Sequence, residues 1–155
     1  TPLKQSAGIL LYRFQQQLLQ VFLVHPGGPF FKNKDEGAWT IPKGEFNDDE
    51  DGLAAARREF WEETGQQIDG KFISLKAIRQ KGGKKVYAWA VEGDIDAEKI
   101  VSNIFTIPWP PQSGRMADFP EVDRAAWFNV AEALKKINQA QTSLISDLAT
   151  ILKIR

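Results

Sequence analysis

Gly44 to Gly65 reads GEFNDDEDGLAAARREFWEETG, and the fold and chemistry of the 155-residue chain both turn on it. The spacing predicts a helix over Gly52 to Thr64. Asp51 can accept backbone N–H bonds as its N-cap, and the acidic residues from Asp48 to Asp51 suit the positive end of the helix dipole. Gly65 fits the left-handed residue that closes a helix. On that helix Glu59, Glu62 and Glu63 stand at i, i+3 and i+4, so all three lie on one face within mutual reach.

Each like-charge pair at this spacing destabilises an isolated helix by about 0.2–0.5 kcal/mol, and a bound divalent cation turns that repulsion into attraction. A ligand set made only of oxygen selects Mg2+, with Mn2+ as its substitute. Zinc prefers nitrogen and sulfur, and the looped calcium pattern is missing. Magnesium held by a few carboxylates keeps several waters and is shared with substrate phosphates, so the cluster points to metal-assisted phosphate chemistry. A plainer reading makes the three glutamates a solvated face paired with Arg57 and Arg58. The flanking residues decide between the two.

From Gly44 the segment resembles the Nudix box, G-x5-E-x7-R-E-(apolar)-x-E-E-x-G-(apolar). Gly44, Glu50, Arg58, Glu59, Glu62, Glu63 and Gly65 take its fixed places and Phe60 the internal apolar one. Only Gln66 departs, with Ile68 as the substitute for the missing apolar contact. Trp39 to Lys43 (WTIPK) is similar to the strand and loop that enter the box in Nudix hydrolases, and Val122 to Phe128 to their late strand ending in Trp-Phe. The resemblance implies an α/β/α sandwich with a mixed sheet between helices, a divalent cation, and hydrolysis of a diphosphate linkage attached to another group, commonly a nucleoside. It implies Glu59, Glu62 and Glu63 as metal ligands together with the backbone carbonyl of Lys43. Arg58 and Glu50 become an ion pair that fixes the glutamates, which agrees with the need to orient metal ligands. Glu62 or Glu63 can also orient the attacking water. Outside the box, Glu92, Glu121 and Asp123 are further candidates for the base, and the sequence does not choose among them.

Outward from the box, Ser6–Phe14 and Leu18–His25 read as a strand hairpin, Pro26–Gly37 as a loop and Trp39–Ile41 as a short strand, with Pro42 to Gly44 leading on into the acidic stretch. Phe72–Gln80 and Lys85–Val91 read as a second hairpin about Gly82-Gly83. Ile104–Ile107 is a short strand, the proline-rich segment from Pro108 to Pro120 a second loop, and Val122–Phe128 a two-faced strand that gives Glu121 and Asp123 one outlook. From Asn129 onward the apolar spacing is helical, as one helix or two. Strands, helix, strands, helix is the order of an α/β fold in one domain over residues 1–155.

Composition narrows the chemistry. Twenty Lys plus Arg balance twenty Asp plus Glu, so no net field draws the chain to DNA, RNA or an anionic membrane. Without cysteine there is no disulfide, thiolate nucleophile or iron–sulfur cluster. His25, the only histidine, cannot build a multi-histidine metal site, and there is no G-x-S-x-G elbow for a serine triad. Carboxylates remain as catalysts. No apolar run is long enough to span a membrane and no signal peptide is readable, so a cytoplasmic protein is expected. It would act, as monomer or homodimer, on a phosphorylated small molecule, a nucleotide first.

Lys43, Trp39, Arg115 and Glu121 are the candidate substrate contacts. Phe30, Phe31 and Trp109 are further aromatic faces for a base, against core packing as the alternative for Trp39. Lys32, Lys34, Lys84 and Lys85 are possible partners for phosphate. Gly27-Gly28 and Gly82-Gly83 lack the flanks of a P-loop and read as turns. His25 ends an apolar strand, with a structural role set against substrate contact. Two competing functions are a non-catalytic nucleotide sensor of the same fold, and an RNA- or protein-binding module built on the tryptophans.

Overall fold

The computed structural model describes residues 4–153. Chain order gives β1 (Gln5–Gln15), β2 (Leu18–Pro26), β3 (Lys43–Glu45), α1 (Gly52–Thr64), β4 (Ile73–Ser74), β5 (Ile78–Arg79), β6 (Lys85–Glu92), β7 (Ile104–Pro108), β8 (Met116–Pro120), β9 (Val122–Asn129), α2 (Val130–Lys136) and α3 (Thr142–Ile151). β1 and β2 close over Gln16 and Gln17, whose φ values of 52° and 68° suit the twist of a two-residue hairpin. β1 is central: β6 lies parallel on one side, β2 and β3 antiparallel on the other, within a seven-stranded sheet of order β4-β6-β1-β2-β9.

Both faces of this sheet are covered, which is why β1 and β2 are apolar at nearly every position rather than at every second one. Ala7, Ile9, Leu11, Phe22 and Val24 pack toward α1, whereas Leu10, Tyr12, Val21 and Leu23 pack toward α2 and α3. The result is the expected mixed α/β sandwich. Phe60, 1% exposed, anchors α1 to its layer. Burying such a side chain contributes about 1.5–3 kcal/mol, and here it also rolls Glu59 and Glu63 inward.

Three readings of the sequence need correction. Trp39–Ile41 makes only isolated bridges, Thr40 to Val24 and Trp39 to Ile137, because Pro42 has no N–H to donate. The paired strand is the next segment, Lys43–Glu45 against Ser6–Gly8. Phe72–Gln80 is not one strand but β4 and β5, both on β6. Between them the Lys76 N–H leaves the ladder for the carboxylate of Asp147 on α3, at 2.8 Å. The stretch after Pro108 is a turn followed by β8, which pairs antiparallel with β7 as a separate two-stranded sheet. Prolines stand at the ends of these strands, where the missing N–H costs no ladder bond. The C-terminal pattern divides into α2, capped by Asn129, and α3, with a short turn at Gln139–Gln141 between them.

Candidate active site

The helix ends are as the sequence predicts. Asp51 accepts from the Ala54 N–H at 3.0 Å, and Gly65, at φ 75°, returns its N–H to Trp61 at 2.7 Å. Between these ends Arg58 organises the acidic face. Its Nε and Nη2 grip Glu50 at 3.0 and 3.1 Å, while Nη1 reaches Glu59 at 2.9 Å and Glu62 at 3.3 Å. A bidentate guanidinium–carboxylate pair fixes direction as well as charge. β3 closes the other side: a Cβ on Gly44 would stand 2.0 Å from the Glu59 carboxyl carbon, so only glycine lets the strand lie this close to the carboxylate.

Glu59 is 9% exposed and Glu63 7%, so two carboxyl groups are largely removed from water beside a third on Glu62. Burial pushes the Glu63 carboxyl well above the usual range, and the charges of Glu59 and Glu121 push the same way against Lys43. Burial, then Glu62, raises Glu59 despite Arg58. Burial and Glu62 raise Glu121. Lys43 is pushed down by burial and by its neighbour Lys84, with Glu63, Glu45 and Glu59 opposing. Arg58 is held above its ordinary value, first of all by its hydrogen bond to Glu50.

A divalent cation fits this donor set: several oxygens, partly desolvated, with more negative charge than the local lysine and arginine cancel. Among the described residues no three acidic or histidine side chains already stand in a ligating arrangement. Arg58 draws Glu59 and Glu62 toward its own guanidinium.

Carboxyls raised in the folded state bind more protons than in the unfolded one, so their contribution is complete below the unfolded value near 4.5 and is lost as pH rises through the raised folded values. Metal-free protein should therefore lose thermal stability from pH 4.5 upward through that window. A divalent cation held by these carboxyls would compete with those protons, so MgCl2 should raise the melting temperature more at pH 8 than at pH 5. Calorimetry with and without the metal checks this, and an equal Mg2+ effect at both pH values would contradict it.

The structure brings Glu121 and Lys43 to the glutamates. Glu121 precedes β9, its N–H bonds to Asn103, and the Asn103 N–H bonds in turn to the Glu62 carbonyl. Lys43 opens β3, and its backbone N–H favours the charged form of Glu63. Lys84, which the sequence offered only as one of several lysines, lies beside Lys43 and 3.4 Å from Glu45. The other candidates are elsewhere. Trp39 is a core residue, 4% exposed, edge-on to His25 and Phe128, with its indole N–H on Asp35. Asp123 does not share the outlook of Glu121: the β2–β9 register shifts at His25/Pro26, and Asp123 turns to His25 at 2.8 Å. Glu92 ends β6 opposite Tyr12.

Arg115 lies at the exposed end of the β7–β8 turn, and among the described residues its guanidinium makes no ion pair. Phe30, 62% exposed, meets Trp109 edge-to-face at 5.5 Å and joins the Pro26–Gly37 loop to that turn. Ile68 packs into the α1 layer, while Gln66 turns to the helix end. Among the described residues no helix is long and apolar enough to cross a membrane.

A family model described as the NUDIX domain matches residues 2–148. Among solved structures, a C. elegans Ap4A hydrolase binary complex is 21% identical with a TM-score of 0.65, covering 97% of this chain and 98% of that one. The NUDIX domain of Shewanella oneidensis NrtR, complexed with ADP ribose, is 17% identical at TM-score 0.69, covering 98% and 90%. A mutT/nudix family protein from Listeria innocua is 16% identical at 0.64, covering 99% and 96%. Among curated proteins nothing matches. The family match spans nearly the whole chain, and Glu59 of the box lies against Gly44; the chain thus belongs to the Nudix family.

Proposed function

We propose that the chain is a Mg2+-dependent hydrolase, with Mn2+ able to substitute, that cleaves a pyrophosphate linkage in a nucleoside diphosphate derivative, a nucleoside triphosphate or a dinucleoside polyphosphate first. The observation that carries this reading is the buried carboxylate pair Glu59–Glu63 beside Glu62, packed against a backbone that only glycine allows. Glu59, Glu62, Glu63 and the Lys43 carbonyl would hold the cation. Once bound, it would withdraw charge from the phosphoryl oxygens and lower the pKa of a bound water.

The chain's own groups supply the rest. Arg58, itself held by Glu50, fixes the direction of Glu59 and Glu62. Lys43 and Lys84 are two cations at the edge of the acidic cluster, placed to meet substrate phosphates. Glu121 is the carboxylate outside the box best located to orient water, because Asp123 is engaged by His25 and Glu92 lies beside Tyr12. Phe30 and Trp109 offer an aromatic wall to the base, and Arg115 a cation to the outer phosphates. Nothing in this arrangement calls on a membrane or nucleic acid, and the cytoplasm, where Mg2+ and nucleotides are abundant, suits it.

The test is a panel of phosphorylated metabolites incubated with the protein and MgCl2, products being identified by mass. The reading predicts nucleoside monophosphate or shortened nucleotide products that EDTA abolishes. Metal-independent cleavage, or nucleotide binding without any product, would contradict it, the latter being the outcome for a non-catalytic sensor.

A further inference from the structure

His25 is the penultimate residue of β2, at the point where the register with β9 slips, and such irregularities re-aim side chains. The imidazole is fully buried, with Nδ1 2.8 Å from a carboxylate oxygen of Asp123 and Nε2 2.6 Å from the backbone carbonyl of Lys34. Both partners accept and neither donates, whereas a neutral imidazole carries a single N–H. Holding both contacts therefore requires hydrogen on both ring nitrogens. The charged groups around the ring are Asp123 and Arg124 from β9, the latter over the Trp39 ring and 4.0 Å from Asp123. Lys34 and Asp35 come from the loop, and Lys136 of α2 pairs with Asp35.

The loop that His25 holds borders the proposed substrate cleft, which Glu121, Phe30 and Trp109 would line. Its Gly27 N–H donates to the Glu121 carbonyl at 2.9 Å, its Gly28 lies against the Phe105 ring of β7, and its Phe30 meets Trp109. We propose that His25, protonated on both ring nitrogens, is a positioning residue that clamps the Pro26–Gly37 loop to β9 and so sets the outer wall of the cleft and the backbone of Glu121. It touches no substrate and acts only through those contacts. The proposal rests on the cleft being the substrate site described above.

Asp123→Ala and Asp123→Asn test it, since Asp123 is partly exposed and both variants leave His25 in place. Three readouts are taken: 15N signals of the imidazole, amide hydrogen exchange across Gly27–Gly37, and KM and kcat for diadenosine tetraphosphate with MgCl2. In the unaltered protein both ring nitrogens should give protonated-type signals. Asp123→Ala should raise loop exchange and KM about tenfold, the effect of losing one charge-assisted hydrogen bond, with a much smaller change in kcat. Asp123→Asn, which keeps an acceptor, should restore most of both.

An acceptor-type ring nitrogen in the unaltered protein at neutral pH, or loop exchange unmoved by Asp123→Ala, would overturn the clamp. Ring signals and exchange need no turnover, so the clamp can fail while the hydrolase reading stands. A protein that cleaves no nucleotide yet shows the protonated ring and the protected loop would sink the hydrolase reading alone.

Discussion

Glu63→Gln should lower turnover about 10^3-fold, the equivalent of about 4 kcal/mol, while raising the melting temperature of the metal-free protein. Glu63 is 7% exposed and its carboxyl is pushed well upward by burial and by Glu59 and Glu121, so its surroundings oppose ionisation in the folded state. Gln has nearly the same shape and no charge. It relieves that opposition, and each kcal/mol relieved is worth about 2–4 °C in a chain of this size. It also removes one of the oxygens that attract a divalent cation. Opposite signs for activity and metal-free stability are the signature of a residue kept for function at the expense of the fold. Steady-state kinetics and calorimetry on the same preparation check it; an active variant would contradict the assignment, and an inactive, destabilised one would make Glu63 structural.

Gly44→Ala should cost both stability and activity. The added Cβ would fall 2.0 Å from the Glu59 carboxyl carbon and 2.1 Å from one of its oxygens, so either β3 moves off α1 or Glu59 turns away. Overpacking of this kind destabilises by about 1–3 kcal/mol, and a displacement of about 1 Å at a site that depends on orientation costs on the order of 10^2-fold in rate. Arg58 cannot absorb the change, because its guanidinium is already committed to Glu50, Glu59 and Glu62. Urea titration and kcat report the two losses separately. Full activity with unchanged stability would mean that the close approach of β3 to Glu59 plays no part in the site.

Local chemistry made much of this legible in the sequence. α1 could be bounded because its caps are side-chain and φ signals that act over a few residues, and both Asp51 and Gly65 serve as such. The inner strands were readable because burial on both faces leaves an uninterrupted apolar run. What escaped depends on contacts far along the chain. The break between β4 and β5 is set by Asp147, 71 residues from Lys76, and the pairing of Lys43–Glu45 by Ser6–Gly8.

The same division holds at the site. The glutamates are i, i+3 and i+4 on one helix, so periodicity alone groups them. Lys84 and Glu121 reach them only through β6 pairing with β1 and through the Asn103 link to Glu62. Strict strand alternation groups Asp123 with Glu121, but it does not survive a register slip, and that slip has no signature in one sequence. The separation of Trp39 from Trp109 follows likewise from tertiary placement, since both are tryptophans in proline-flanked segments.

The most direct test of the central claim is anomalous diffraction from crystals soaked in MnCl2. The account predicts one strong peak within bonding distance of carboxylate oxygens from Glu59, Glu62 and Glu63, with Glu59 and Glu62 swung out of the Arg58 contacts that they make without metal. Density for manganese only at unrelated surface carboxylates, with Glu59 and Glu62 still turned to Arg58, would contradict it.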